Sequence, residues 1–253
     1  NHAILCVPME NDTIWLECTS QTAPFNHLFS GSIGRKALLV TAEGGKMVRT
    51  TVPKENRQSN VAQVKVNPDG GIVCDLSTKN IGSFYDEDFS KLQLSDKELK
   101  EEVLNESSIS NIVLTSAKVE QQEEIPELSV KKSFSARSFA TKSGNRMFIE
   151  LSPFTGVSKV VAQKTERRNP VYIEEGFVYD DQITLQLPDK GSIEFCPAGK
   201  TIESEFGQYQ SKIEQVNGQV VFHRSLSINK GNYPKEKYAS FIGFLNSAAE
   251  ADK

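Results

Sequence analysis

Two long stretches of strict apolar–polar alternation, each broken by a strong turn signal, limit this chain to β structure. In "VAQVKVNPDGGIVCDL", Ala62, Val64 and Val66 fall on one face of an extended segment. Ile72, Cys74 and Leu76 do the same on its return, around Asn67-Pro68-Asp69-Gly70-Gly71. A period of two puts alternate side chains on one face only when the backbone is extended. "QYQSKIEQVNGQVVFHRSLSI" repeats the pattern around Asn217-Gly218, the dipeptide that type I′ hairpin turns favour. "KALLVTAEGGKMV" reads as a strand, a turn at Glu-Gly-Gly and a return, and "DQITLQLP" alternates Ile183, Leu185 and Leu187. "NIVLTSAKV", "LSVKKSFSARSFAT", "RMFIELSPF" and the short "SIEFCP" are further strand candidates.

Only two segments carry a helical period. "SDKELKEEVL" has Ser95 placed to cap and Glu98 to complete a capping box, with Leu99 and Val103 one turn apart on the inner side. At the end of the chain Pro234 suits a first helical turn, and Tyr238, Phe241, Ile242 and Leu245 form an i, i+3, i+4, i+7 stripe. A parallel sheet needs a crossover for every strand pair, usually a helix, and two helices are too few. The expected fold class is therefore mainly β: a large antiparallel β-sandwich with one internal and one C-terminal helix. The polar stretch "TTVPKENRQSN" suggests a boundary, dividing the chain into residues 1–48 and 49–253.

At 253 residues the chain suits one large all-β unit or two smaller ones. Its net charge of −4 argues against nucleic acid as the main partner, because phosphate binding needs a basic face. The densest basic run, Lys164 to Arg168, is short and reads as a solvated loop. No stretch approaches the roughly 20 apolar residues of a membrane-spanning helix. Cys6, Cys18, Cys74 and Cys196 lie far apart with no CxxC pair, which suits neither a disulfide framework nor zinc; buried free thiols are expected. The acids in Tyr85-Asp86-Glu87-Asp88 and Asp180-Asp181 lack the spacing of a calcium loop and read as solvated faces. No metal or other cofactor is expected. His27 and His223 read as lone histidines, His223 at the surface, and Trp15 reads as core.

The opening "NHAILCVPMENDTIWLECTSQ" carries the chemistry. It reads as two strands around Glu10-Asn11-Asp12-Thr13, with His2 and Glu17 able to share a face. A symmetric two-residue turn at Asn11-Asp12 would set Glu17 opposite Cys6. His2 would then lie four residues, roughly 13 Å, further along. Bringing the two together requires a bulge or an asymmetric loop.

This stretch resembles the late part of a bacterial transglutaminase-like core, in the papain-like cysteine protease superfamily. There a His opens one strand and W-x-D-x-T closes the next. His2 takes the place of the family's catalytic His. Trp15-Leu16-Glu17-Cys18-Thr19 matches the second motif, with Glu17 where Asp is usual. The exchange keeps the charge and lengthens the arm. The rest of the chain resembles, more loosely, the β-rich domain of unknown function that follows such cores, through "RRNPVY", "ITLQLP", "SIEFCP" and "SLSINKGNYPKEKYASFIGF".

The resemblance implies that residues 1–48 are the last strands of an incomplete core and that 49–253 is an accessory β-sandwich. The family's nucleophilic Cys precedes its His, and only Asn1 precedes His2 here. The expectation is thus a non-catalytic C-terminal portion, with His2 and Glu17 as members of a triad whose nucleophile is absent. The sandwich would position the core or bind a protein or polymer partner. With the missing part present, a cysteine peptidase or acyl-transferase is implied. The alternatives are a standalone secreted binding or adhesion module, and an intact enzyme of another kind that uses the acidic clusters and a metal. A periplasmic, secreted or cell-surface bacterial setting is implied by the resemblance alone, and an exposed sheet edge is expected along residues 1–8.

Overall fold

The structure is a computed structural model that describes residues 2–10, 12–20, 22–122, 125–151, 153–154, 167–189 and 191–252. Two hairpins come first: β1 (Leu5–Pro8) with β2 (Thr13–Leu16), and β3 (Lys36–Thr41) with β4 (Gly44–Arg49). β5 (Arg57–Val66) and β6 (Ile72–Ile81) follow, then α1 (Ser83–Asp88), a 3₁₀ turn at Phe89–Gln93 and α2 (Asp96–Asn105). β7 (Ile112–Gln122) and β8 (Glu127–Ala136) form the next hairpin, followed by the short β9 (Thr141–Ser143), β10 (Arg146–Phe148) and β11 (Val171–Ile173). β12 (Phe177–Gln186), β13 (Thr201–Ser204), β14 (Gly207–Val216), β15 (Gln219–Ile228), β16 (Gly231–Tyr233) and α3 (Tyr238–Ala251) complete the chain.

The molecule is mainly β, built on one open eight-stranded sheet in the order β13-β14-β15-β12-β5-β6-β8-β7. Neighbours run antiparallel except at one place. β5 and β12 are parallel, Val178 opposite Arg57 through Gln186 opposite Lys65. The expected all-antiparallel arrangement misses this pair because nothing local marks it: the strands lie over a hundred residues apart, and alternation is the same in both directions. The remaining short strands form two-stranded ribbons.

The local signals hold at the turns and caps. Asn217 and Gly218 both have positive φ, 52° and 77°, as a type I′ turn requires. The Ser95 hydroxyl accepts the Glu98 N–H while the Glu98 carboxylate accepts the Ser95 N–H, closing the capping box. Three expectations are corrected. "SIEFCP" forms no strand; β12 is followed by irregular chain. A third helix, α1, stands where the acidic run was read as a surface face. On α3 the buried residues are Ile242, Phe244, Ala248 and Ala249, so Phe244 and Ala248 carry much of the contact expected of Tyr238.

One face of the sheet is covered in sections. α3 closes over Phe206, Tyr209, Leu226 and Ile228. α1 and α2 place Tyr85, Leu99 and Val103 on Leu128 and Val130. The middle of the sheet buries Ala62, Val64, Val66, Ile72, Cys74, Leu76, Ile183, Leu185 and Phe222. A polar seam crosses this same face. Thr78, Asn60, Asp181 and Arg224 stand opposite one another on four neighbouring strands. The Thr78 hydroxyl donates to Asn60 Oδ1 at 2.6 Å, and Asn60 Nδ2 donates to Asp181 Oδ1 at 2.9 Å. Arg224 donates to Asp181 Oδ2 at 3.0 Å and twice to Asp252 at the end of α3, at 2.6 and 2.8 Å. Tyr209 stacks near the guanidinium and donates its hydroxyl to Asp252 at 2.8 Å. Each buried polar group thus meets a charged or neutral partner, which offsets the cost of removing it from water.

Candidate functional site

The site begins with the register of the first hairpin. Leu5 pairs with Leu16, Cys6 with Trp15, Val7 with Ile14 and Pro8 with Thr13. Met9 N–H donates to the Asp12 carbonyl at 2.8 Å, closing the hairpin one residue earlier than a turn centred on Asn11-Asp12. That single step moves every cross-strand pairing by two. Continued along the strands, the ladder sets Glu17 opposite Ile4, one diagonal step from His2 and on the same face. Diagonal neighbours lie within reach of long side chains. The expected 13 Å separation is thereby corrected: His2 Nε2 and Glu17 Oε2 are 2.7 Å apart.

Glu17 is held from two sides. Its Oε1 accepts the Thr19 hydroxyl at 2.6 Å and the Thr19 N–H at 3.0 Å, leaving Oε2 for the imidazole. This gives Thr19 a physical role at its spacing: two residues after an acid, its hydroxyl and amide fix the carboxylate rotamer. The Glu17 side chain is 4% exposed and that of His2 44%. Burial alone pushes the Glu17 carboxyl up; the two bonds from Thr19, with the bond and charge of His2, outweigh it and hold the group below the ordinary carboxylate range. With Nε2 donating to the carboxylate, Nδ1 is the ring nitrogen left to take or give a proton.

The frame behind the pair is a small core. Trp15 is buried with Leu28 and Ile33, and Ile4, Cys6 and Val48 lean on it. Trp15 N–H donates to Asn26 Oδ1 at 2.8 Å, satisfying a backbone group of the short β2. β1 pairs with β2 alone among the described residues.

His27, read as a lone histidine, is buried and paired. Its Nε2 lies 2.8 Å from Asp86 Oδ1, and the Ser30 N–H donates to Asp86 Oδ2 at 2.5 Å. Phe29 and Tyr85 meet its ring edge-on. This pair joins the first 50 residues to α1. Apart from the exposed Glu87, the acids of these runs are therefore paired rather than simply solvated. Asp86 is taken by His27, Asp88 bonds Asn80 and Lys91, and Asp181 lies in the polar seam; Asp180 pairs with Arg57. Among the described residues no group of three or more His, Cys, Asp or Glu is arranged to hold a metal.

The thiols differ from one another. All four are free, but only Cys74 is buried; Cys18 is exposed, and Cys6 and Cys196 are half-buried. Burial, with the nearby Asp75 charge, pushes the Cys74 thiol up to about 12, which leaves it un-ionised. The one hydrogen bond made by a thiol among the described residues runs from Cys18 to the Leu16 carbonyl, not to His2. His223 is half-exposed, with Glu214 at 4.0 Å. The Lys164 to Arg168 run lies outside the described residues except for Arg167 and Arg168.

Residues 145–253 match the family model "Domain of Unknown Function with solved-structure structure (DUF3858)". One solved structure, described as a "putative protease" from Parabacteroides distasonis ATCC 8503, aligns with a TM-score of 0.43 at 9% identity. The alignment covers 98% of this chain and 34% of that one, so the chain spans about a third of that protein's length. No curated protein matches the chain significantly. No helix among the described residues is long and apolar enough to cross a membrane.

Sequence reasoning missed the buried polar residues, yet a signal for them exists. Arg224 keeps the same phase as Val220, Phe222, Leu226 and Ile228, Asn60 that of Ala62 and Val64, and Asp181 that of Ile183 and Leu185. A charged residue in the apolar phase of a strand marks a buried partner.

Proposed function

We propose that residues 1–48 supply the imidazole–carboxylate half of a cysteine peptidase or acyl-transfer centre, and that 49–253 is an accessory unit that positions it. The observation that carries this reading is the His2–Glu17–Thr19 chain of hydrogen bonds. An acid fixed by a third group and bonded to one imidazole nitrogen leaves the other nitrogen to activate a thiol. On this reading the chain by itself is not the enzyme, and the nucleophile comes from polypeptide outside it. The His27–Asp86 pair and α1 are the means by which the larger sheet holds the dyad's frame. The exposed apolar face of β3–β4, with Leu38, Val40 and Met47 more than half exposed, offers a place for that polypeptide or another protein partner. A secreted or periplasmic setting belongs to the same proposal.

Two measurements test it. The isolated chain should hydrolyse neither peptide nor amide substrates; thiol-dependent turnover that disappears in His2→Ala would overturn the reading. The coding sequence ahead of Asn1 should encode a Cys at the head of a helix, and a stop codon or an export-cleavage site directly before Asn1 would contradict it.

A further inference from the structure

The β3–β4 hairpin turns an apolar face to solvent. Lys36, Leu38 and Val40 on β3 pair with Arg49, Met47 and Gly45 on β4, so these positions share one side of the ribbon. Leu38 is 63% exposed, Val40 78% and Met47 59%. The opposite side is the inner one: Val48 leans on the Trp15 core, and Ala37 and Leu39 are half-buried. β3 and β4 pair only with each other among the described residues. Large apolar side chains gathered on one exposed face mark a contact with another molecule.

The ends of this face carry opposite charge. Lys36 and Arg49 form the rung at its base and Glu43 stands at its tip, all three exposed. Arg49 donates to the Gly34 carbonyl at 2.9 Å and has further N–H donors. The Glu43 carboxylate makes no hydrogen bond or ion pair among the described residues. The tip itself is held in place. The Thr41 hydroxyl donates to the Gly44 carbonyl at 3.0 Å and accepts the Glu43 N–H at 3.3 Å.

Such a face is complementary to itself. A two-fold axis across the strands, midway between the Leu38–Met47 and Val40–Gly45 rungs, lays base over tip. Leu38 then meets the second copy's Val40. Met47 meets the second copy's Gly45, a long side chain over a position that has none. Leu38 leans on that same glycine, 3.0 Å from where a Cβ would stand, so the surface under Met47 is apolar. At each end Arg49 meets the second copy's Glu43, and the symmetry forms this pair twice. An isologous contact demands a self-match of this kind, and a contact with an unrelated protein does not. We propose that the chain forms a two-fold dimer by face-to-face packing of its β3–β4 hairpins. The face is six residues long and two strands wide, roughly 20 Å by 10 Å. That is well under the roughly 800 Å² per partner of a stable interface, so the dimer is a weak one, with a Kd of about 100 µM. The dimer commits the face to one occupant and does not depend on the reading of the His2–Glu17 pair.

Sedimentation of the chain from about 10 µM to about 1 mM should show monomer passing to dimer. Val40→Glu, at an exposed position, should weaken association by about tenfold or more with the circular dichroism unchanged. Charge exchange is the sharper test. Glu43→Arg and Arg49→Glu should each self-associate about tenfold or more weakly, because like charges then meet at both ends. Mixed in equal amounts the two variants should dimerise again, since each supplies the charge that the other lacks. A chain still monomeric at about 1 mM would leave the face to a different protein and overturn the proposal. A dimer indifferent to Val40→Glu, or charge variants that dimerise alone or fail to recover on mixing, would overturn it equally.

Discussion

Arg224 and Asp181 stand directly opposite each other on β15 and β12, their side chains 3.0 Å apart and both wholly buried. Asp252 at the end of α3 holds the other side of the same guanidinium. Asp181→Ala should therefore cost about 3–5 kcal/mol, the penalty for breaking a buried pair from one side. At roughly 2–4 °C per kcal/mol for a domain of this size, the melting midpoint should fall by about 10 °C, read by calorimetry. A fall of a degree or two would mean that Asn60 and Asp252 already satisfy the seam.

Thr19→Val removes one of the bonds that hold the Glu17 carboxylate, so its pKa should move up towards the ordinary range. A carboxyl depressed in the folded state contributes stability that is fully present above the unfolded pKa and lost as the pH falls through the folded one. The stability gap between the unmodified chain and Thr19→Val should thus be largest near neutrality and shrink in acid. Urea titrations at about pH 7 and about pH 3, with the Glu17 carboxyl carbon followed by NMR, check both halves.

His27→Ala leaves Asp86 with the Ser30 N–H but without its imidazole. A loss of about 2 kcal/mol is expected for the stranded buried carboxylate. The effect should be local. Hydrogen exchange should rise at Trp15, Leu28 and the β1–β2 amides, while β5, β6 and β12 keep their protection.

Gly207→Ala tests a backbone requirement. Gly207 opens β14 at φ +153°, and a Cβ there would lie 1.9 Å from the Ser227 carbonyl oxygen. β14 and β15 must separate to admit it, so loss of most of the soluble folded protein is expected. At Gly218, φ +77° with nothing within 4 Å, alanine should cost only about 1 kcal/mol, from backbone strain alone.

Much of this was legible along the chain, and the reason is locality. Asn217-Gly218 and the Ser95–Glu98 box state their geometry within four residues. The Trp15 to Thr19 stretch also contains its own logic, since Thr19 and Glu17 are two residues apart. What could not be read was set by distance or by a single step. The His2–Glu17 contact depends on a turn closing one residue early, and neither residue type near Glu10 dictates that. His27 meets Asp86 across 59 residues. Arg224 shows in the pattern only as an intrusion into an apolar phase, which gives burial without naming the partner.

The parallel pairing of β5 with β12 also dictates an order of events during synthesis. The strand that completes the middle of the sheet emerges about 120 residues after the one it must join, so the first half waits on the ribosome with an open edge. Contacts of such long range slow folding, because a large loop must close before they form. Residues 145–253 expressed alone would carry the mirror problem: β12 would have β15 on one side and unpaired backbone on the other. Aggregation of that fragment, relieved by adding residues 49–144 in trans, is the behaviour such a seam imposes.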